Sequence, residues 1–209
     1  MNYFITGTDT GVGKTFVTCL LLRALNATGR RAVGFKPICC GDRADVAALA
    51  AAGAGGASMD EINPLWFRTP ASPLAATVAE NRECDLQPVV KRFGDLCARF
   101  DLVLVEGAGG WEVPIHPDYF VGDLARDLGL PVIVVVRNRL GALNHAILTV
   151  NAIGQRGLPC AGLILNNSDA DEMAESNRRI LEQVLDVPIL GEVRPDADQE
   201  AILPLVRQL

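Results

Sequence analysis

The chain has 209 residues, of which 49% are hydrophobic and 5% aromatic, and its formal net charge is −6 at pH 7. This length predicts one domain with enough apolar residues for a core. The negative charge and the lack of a basic run argue against a nucleic-acid-binding protein. No apolar stretch reaches the roughly 18 residues of a membrane span, and the N-terminus enters a strand directly, so we expect neither a membrane protein nor a signal peptide.

Short apolar runs alternate with helical patterns along the chain. Six runs predict buried strands, at residues 3–6, 32–36, 102–106, 132–136, 161–166 and, more weakly, 189–193. Helices are predicted over residues 14–28, 44–52, 86–99, 120–128, 141–156 and 170–185, several of them followed by glycine and proline stop signals. The alternation predicts an α/β fold: a doubly wound, mostly parallel sheet with helices on both faces, in a single domain over residues 1–209.

Residues 53–81 form the least regular part of the sequence. Their Gly/Ala/Ser-rich start predicts a flexible loop, and the steps Thr69-Pro70 and Ser72-Pro73 predict turns that place side chains at a site. A loop of this length inside a compact domain is often functional. A plain surface excursion is the alternative.

Residues 7–15 read GTDTGVGKT and lie between the first predicted strand and the first predicted helix. A loop of this kind points backbone N–H groups inward at a helix N-terminus, where the helix dipole favours anions. Lys14 would add positive charge at the β- and γ-phosphates, and Thr15 would offer a hydroxyl to Mg²⁺. The simple phosphate-loop pattern has glycine where this chain has Thr8, one residue after Gly7, and a plain turn is the alternative. The order strand, loop, helix predicts binding of a nucleoside triphosphate.

Polar side chains follow several of the predicted strands. Lys36 ends the second, Glu106 ends the third, and Asn166 and Asn167 end the fifth. Ligands of open parallel sheets bind at the carboxyl ends of strands, so we expect these residues near the phosphate loop. Glu106 can hold Mg²⁺ directly or through water, or it can simply cap a helix or loop. Asp45, taken alone, is an acidic residue in a first helical turn, where the dipole favours it.

The six cysteines and two histidines do not predict a zinc site, because no cysteine pair has C-x-x-C spacing. Adjacent Cys39 and Cys40 could not easily form an unstrained disulfide. We therefore expect a reduced, cytosolic protein. His145 lies near the start of a predicted helix, where a capping or packing role is favoured over a catalytic one.

Several motifs then occur in a fixed order: GTDTGVGKT, Lys36-Pro37, VEGAGGW at 105–111, LGALNHAILT at 140–149, Asn166, and LGEV at 190–193. Together they cover nearly the whole chain and resemble the dethiobiotin synthetase family. The resemblance implies a cytoplasmic, homodimeric ligase of biotin biosynthesis that forms carbon–nitrogen bonds and uses 7,8-diaminononanoate, CO₂, ATP and Mg²⁺. The implied reaction passes through a carbamate and a carbamic–phosphoric anhydride, closes the ureido ring, and releases ADP and phosphate.

The resemblance also implies roles for individual residues. The nucleotide would be held by Asp9, Thr10, Gly11, Val12, Gly13, Lys14 and Thr15, with Asn166 on adenine and the segment from Pro195 to Glu200 over the base. Mg²⁺ would be held by Thr15, Asp45 and Glu106. The diamine and its carbamate would contact Thr10, Lys36, Cys40, Ser72 and Gly109, and Gly141, Leu143 and Asn144 of the other subunit would take the substrate carboxylate. Lys36, Lys14 and Thr10 would be catalytic.

The sequence departs from the family pattern in three places. Cys40 stands where a small hydroxyl residue is usual, Leu74 stands where histidine is common, and the link from Lys36 to Asp45 is short. Two other classes of protein are the alternatives. Amidating ligases of the same superfamily need a glutaminase domain, for which 209 residues leave no room. Partition or septum-positioning ATPases carry an early lysine in the phosphate loop, where this chain has Asp9.

Overall fold

The computed structural model describes residues 1–168, 174–198, 200 and 202–206. Its elements in chain order are β1 (Tyr3–Gly7), α1 (Lys14–Ala27), β2 (Ala32–Phe35), β3 (Ile38–Cys40), α2 (Ala44–Ala52), α3 (Met59–Ile62), β4 (Leu65–Phe67), α4 (Pro73–Glu80), α5 (Gln87–Cys97), β5 (Leu102–Gly110), β6 (Pro114–His116), β7 (Tyr119–Phe120), α6 (Val121–Asp127), β8 (Val132–Arg137), α7 (Ala142–Gln155), β9 (Cys160–Asn166), α8 (Ala174–Val184), β10 (Ile189–Val193) and α9 (Leu203–Val206).

Six strands form one sheet in the order β10-β9-β8-β1-β5-β2, and every neighbouring pair is parallel. These are the six strands predicted from the apolar runs, so the prediction of a parallel α/β sheet is confirmed. The chain enters at the centre with β1, adds β2 and β5 on one side, and then adds β8, β9 and β10 on the other. Ligands bind such sheets outside the carboxyl ends of the strands where the order reverses, which here is beside β1.

The register of the central strands brings the predicted strand-end residues together. Phe35 pairs with Val105 across β2 and β5, so the residues that follow, Lys36 and Glu106, lie side by side at the carboxyl edge. Gly7 at the end of β1 lies opposite Gly110 of β5. The phosphate loop and the VEGAGGW segment therefore meet at one edge of the sheet.

The core explains why the strands are nearly continuous apolar runs. Parallel strands covered on both faces need apolar side chains at every position, and Phe4 and Ile5 of β1 are fully buried. In α1, Leu21 and Leu22 are also fully buried. Replacing such a leucine with alanine costs about 2–5 kcal/mol of stability. Packing against the core therefore fixes the position of α1, and α1 positions the phosphate loop that precedes it.

The prediction of an irregular loop over residues 53–81 holds for the Gly/Ala/Ser-rich start and for a bend at Thr69-Pro70, but it is wrong for most of the rest. This segment contains α3, β4 and α4, and β4 pairs in parallel with β3 in a small separate sheet. Ser58 caps α3 in a capping box with Glu61. The Ser72-Pro73 step, predicted as a turn, starts α4 instead: Ser72 is the N-cap residue and Pro73 occupies the first helical turn, where proline is pre-organised for a helix.

The remaining helix predictions agree closely with the structure. The helix predicted at 44–52 has these bounds, and α1, α5, α6 and α7 end within one to two residues of their predicted limits. The helix predicted at 170–185 is α8, and the start of that prediction lies outside the described residues. The hairpin of β6 and β7 and the short α9 were not predicted. Within the described part of the chain, no helix is long and apolar enough to cross a bilayer.

Candidate active site

The phosphate loop is shaped by two glycines in left-handed backbone conformations. Gly11 has φ 72° and Gly13 has φ 94°, values that other residues rarely adopt. A side chain on Gly13 would also collide with Nδ2 of Asn166. Gly13 is the N-cap residue of α1, and the N–H groups of the first turn after a glycine cap are available to an anion.

The side chain of Asn166 holds the phosphate loop through a hydrogen bond. It is buried at the end of β9, and Nδ2 donates to the carbonyl oxygen of Val12 at 2.8 Å. Its Oδ1 is buried and has no hydrogen-bond partner within the described structure. A second hydrogen bond at Oδ1 is therefore still open to a donor from a ligand.

Lys14 and Thr15 open α1 and face different partners. The ammonium of Lys14 donates to the carbonyl oxygen of Asp9 at 3.2 Å. Burial, together with the nearby charge of Lys36, lowers the pKa of Lys14 to about 8. Thr15 Oγ1 donates to Oε1 of Glu106 at 2.8 Å. This hydrogen bond joins the first turn of α1 to β5.

Lys36 lies between two carboxylates. Its Nζ is 2.5 Å from Oε1 of Glu106 and 2.9 Å from Oδ2 of Asp45. Lys36 and Glu106 are buried, whereas the Asp45 side chain is half exposed. Burial lowers the pKa of Lys36, but the two carboxylates outweigh it and hold this pKa above its ordinary value. Burial likewise raises the pKa of Asp45, and the Lys36 ammonium reverses the shift and lowers it. Lys36 is therefore a permanent cation at this edge.

Three side chains around Lys36 fit a hard divalent cation. Thr15, Asp45 and Glu106 offer only oxygen atoms, which are the ligands that Mg²⁺ prefers. Oε2 of Glu106 is buried and has no hydrogen-bond partner among the residues that the structure describes. An unpaired buried carboxylate oxygen is costly, and a cation at this atom would remove that cost.

A cavity of about 520 Å³ opens next to this cluster. Its lining includes all five residues predicted for the diamine and the carbamate, namely Thr10, Lys36, Cys40, Ser72 and Gly109. Asp45, one of the three residues predicted for the metal, also lines this cavity. Burial raises the pKa of Cys40 to about 11, and its thiol is therefore neutral near pH 7.

Sequence reasoning missed part of the cavity wall. Pro70 and Asp42 line it from the β3–β4 side, and Val113 lines it from beyond the VEGAGGW motif. Two sequence signals were available for the helices near Pro70 and Asp42. The capping box at residues 58–61 predicts the start of α3, and proline after a serine N-cap predicts the start of α4. No motif marked Val113.

The residues predicted for the partner subunit lie elsewhere on this chain. Gly141 is the N-cap residue of α7 with φ 93°, and Leu143 and Asn144 follow in its first turn, none of them lining the cavity. Leu140, just before α7, is 83% exposed, and Leu148, within α7, is 59% exposed. Pro195 and Glu200, predicted over the nucleotide base, follow β10 and are exposed. His145 is exposed in the first turn of α7.

Comparison with known proteins decides between the classes that the motifs left open. A family model described as an AAA domain matches residues 1–202. The ATP-dependent dethiobiotin synthetase BioD of Akkermansia muciniphila is 45% identical over 194 residues, covering 92% of this chain and 91% of that protein. The corresponding protein of Aromatoleum aromaticum is 44% identical, with 91% and 89% covered. This chain belongs to the dethiobiotin synthetase family.

Solved structures agree on the fold. The septum site-determining protein MinD of Pyrococcus horikoshii, complexed with Mg-ADP, aligns with a TM-score of 0.63 at 17% identity, covering 100% of this chain and 96% of that one. A ParA family ATPase of Chlorobium tepidum aligns with a TM-score of 0.57 at 13% identity, covering 99% and 88%. These likenesses show a shared fold. The sequence identity places the chain among the dethiobiotin synthetases, which are ATP-dependent ligases that form carbon–nitrogen bonds.

Proposed function

We propose that this chain joins 7,8-diaminononanoate and CO₂ at the expense of ATP and releases dethiobiotin, ADP and phosphate. The observation that carries the proposal is the position of Lys36. It lies beside the phosphate loop at the carboxyl edge of the sheet and also lines the 520 Å³ cavity. A cation in this position can act on a carbamate and on the phosphoryl group that the carbamate attacks.

In the first step, one amine of the substrate adds to CO₂ and loses a proton, which gives a carbamate. The cavity beside Thr10 and Ser72 has room for the diamine carbon chain, since its volume falls in the usual range of small-molecule sites. The ammonium of Lys36 neutralises the carbamate charge. Because Lys36 keeps its proton, it acts by charge and not as a base.

In the second step, a carbamate oxygen attacks the γ-phosphorus of ATP in line, the bond to ADP breaks, and a carbamic–phosphoric anhydride forms. The N–H groups of the loop from Gly11 to Gly13, with Lys14, hold the phosphates. Such positioning and charge stabilisation is the main contribution of a protein to phosphoryl transfer. The second amine then attacks the carbonyl carbon, the ring closes, and phosphate leaves. Both nucleophiles belong to the substrate.

Mg²⁺, when bound, would neutralise charge on the β- and γ-phosphates. Thr15, Asp45 and Glu106 are the residues that would hold it, and Thr15 and Glu106 are already joined by a hydrogen bond of 2.8 Å. Lys36 contacts both carboxylates, and its charge therefore acts on the geometry of this cluster as well as on the carbamate.

We further propose that two copies of the chain form the working enzyme. The exposed apolar side chains Leu140 and Leu148 flank the first half of α7, where a second subunit would cover them. The N-terminus of α7, with Gly141, Leu143 and Asn144, would receive the substrate carboxylate of the neighbouring subunit, because backbone N–H groups and the helix dipole favour an anion there. Asn166, Pro195 and Glu200 would hold adenine, and the protein would work in the cytoplasm.

The proposal is tested by phosphate release from ATP, Mg²⁺ and bicarbonate, with and without 7,8-diaminononanoate. We expect release that requires the diamine, together with a ring-closed product by mass spectrometry. Hydrolysis that is independent of the diamine would instead point to a switch ATPase, the activity class of the fold neighbours. Absence of any release would contradict the proposal as well.

A further inference from the structure

Arg156, at the C-terminal end of α7, contacts a segment 44 residues before it in the sequence. Its guanidinium forms a fork with Glu112, with Nη1–Oε1 at 2.5 Å and Nη2–Oε2 at 2.6 Å. Nε lies 3.4 Å from Oδ1 of Asp123. The Arg156 side chain is 16% exposed and the Glu112 side chain is 52% exposed, so the arginine is held mostly inside the protein while its partner reaches the surface. A bidentate arginine–carboxylate pair also fixes orientation, which a lysine does not.

The guanidinium of Arg156 also lies over aromatic rings. It is 5.7 Å from the ring centroid of Trp111 and 5.9 Å from that of Phe120. Gly122 makes this approach possible, because a Cβ there would lie 2.9 Å from Nε of Arg156 and 2.6 Å from Cε2 of Trp111. The turn that follows β5, the start of α6 and the C-terminal end of α7 are therefore joined at one side chain.

The segment that Arg156 holds, residues 111–113, reaches the substrate cavity through Val113, which forms part of one wall. Glu112 lies between Trp111, which is buried, and Val113, which lines the cavity. A Cβ on Gly109 would lie 2.8 Å from Cγ2 of Val113 and 3.3 Å from Oγ1 of Thr10. Val113 and the phosphate-loop residue Thr10 thus both lie against the side of Gly109 where a Cβ would stand, and a shift of Val113 reaches the reacting end of the cavity.

We propose that Arg156 is a positioning residue for the diamine, which it serves by holding the Trp111–Val113 wall through Glu112. The inference rests on the proposed function. Arg156 does not touch the cavity, and its effect passes through the wall. Alternatively, Arg156 only places a favourable positive charge at the C-terminus of α7. In that case its replacement would lower stability without changing the affinity for the substrate.

The test compares steady-state kinetics of the wild-type enzyme with Arg156→Ala, Arg156→Lys and Glu112→Gln. We expect Arg156→Ala to raise the KM for 7,8-diaminononanoate about tenfold with a much smaller change in kcat, because a displaced wall misplaces the substrate. The KM for ATP should stay near its wild-type value. Arg156→Lys keeps the charge without the fork and should be intermediate. The double variant Glu112→Ala/Arg156→Ala should be no worse than Arg156→Ala alone.

Arg99→Ala is the matched control, since Arg99 also pairs with a glutamate, Glu61, and lies over an aromatic ring, that of Phe100. It does not line the cavity, so its diamine KM should remain unchanged even if its Tm falls. A second readout does not depend on turnover. In a Trp66→Phe background Trp111 is the remaining tryptophan, and the diamine Kd from its emission should rise about tenfold in Arg156→Ala.

A wild-type diamine KM in Arg156→Ala, with only a lowered Tm, would overturn the inference and leave the proposed function intact. If Arg156→Ala fails to fold, Arg156→Lys and Glu112→Gln decide the matter, and wild-type KM values in both would overturn it. If the wild-type enzyme itself shows no diamine-dependent phosphate release, the proposed function fails and the inference fails with it.

Discussion

Lys36 contacts Glu106 and Asp45 and lines the cavity at the same time, so its removal has two separable effects. In Lys36→Met we expect turnover to fall by about 10²- to 10³-fold or more, because a preorganised charge at the reacting group is lost. We also expect a loss of stability of about 3–5 kcal/mol, because Glu106 then remains buried without its partner. Steady-state kinetics and urea unfolding measure the two effects.

The double variant Lys36→Met/Glu106→Gln distinguishes the chemical role from the structural one. Replacing the buried carboxylate with an amide removes the unpaired charge, so stability should return toward the wild-type value. Turnover should remain low, since the Lys36 cation is still missing and Glu106, a proposed Mg²⁺ ligand, is lost as well. Recovery of turnover along with stability would show that Lys36 only neutralises Glu106.

Cys40 is the residue at which the chain departs from the family pattern inside the cavity. Its thiol is neutral near pH 7, since burial raises the pKa to about 11, and a thiol is a weaker hydrogen-bond partner than a hydroxyl. We predict that Cys40→Ser keeps or raises kcat/KM for the diamine. Cys97→Ser, on α5 and outside the cavity lining, is the control for loss of a thiol. A large drop in turnover for Cys40→Ser alone would contradict the assignment of this loop.

At the scale of elements, α3 is held by its capping box, and Glu61 makes it sensitive to pH. Glu61 accepts the backbone N–H of Ser58 at 2.7 Å and pairs with Arg99. These interactions, led by the Ser58 backbone N–H, lower the pKa of Glu61 from 4.5 to about 2. A carboxylate with a depressed folded-state pKa stabilises the fold above its unfolded pKa, and this contribution is lost as the pH falls through the folded value.

Glu61→Gln keeps an acceptor for the cap and removes the charge. The Tm of the wild-type protein should therefore exceed that of Glu61→Gln at neutral pH, and the difference should shrink as the pH falls from 4.5 toward 2. Thermal unfolding at several pH values measures it. Glu175→Gln is the control, because the Glu175 side chain is 82% exposed and pairs with Arg179 on α8. A difference that is constant with pH would contradict the role of the Glu61 charge.

Most strands of the sheet could be predicted, because parallel strands that are buried on both faces appear in the sequence as continuous apolar runs. β1, β5 and β8 are buried on both faces, so nothing in them competes with the strand pattern. The segment 53–81 was harder, because β3 and β4 have three residues each and pair only with one another. Strands this short leave too few residues for a period to show.

The site was predictable where chemistry demands particular residues in sequence. The loop from Gly11 to Thr15 needs its glycines for backbone shape, and Glu106 lies in β5 at the point where its apolar run ends. Other parts of the site depend on contacts between distant segments. Arg156 and Glu112 are 44 residues apart, and no local pattern relates a helix end to a loop after another strand.

At the scale of the whole molecule, α7 joins two parts of the proposed reaction. Its C-terminal end holds the cavity wall through Arg156, and its N-terminus is proposed to bind the carboxylate of a substrate in the other subunit. If each site combines Lys36 of one subunit with Asn144 of the other, two inactive variants can complement one another. Asn144→Asp is suited to this test, because an acidic residue in a first helical turn is tolerated by the dipole but repels a carboxylate.

We predict that Lys36→Met and Asn144→Asp are each poorly active alone at low substrate and that mixing them restores activity. In a mixed dimer both defects fall in one site, and the other site is intact. Random mixing of a twofold dimer then gives about a quarter of the wild-type activity, measured as diamine-dependent phosphate release after the subunits exchange. If each site lay within one subunit, every site of the mixed dimer would carry one defect and no activity would return. A mixture of Lys36→Met with Cys40→Ser is the comparison: it should give about half of the Cys40→Ser activity whether a site is shared or lies within one subunit, so only recovery with Asn144→Asp requires a shared site.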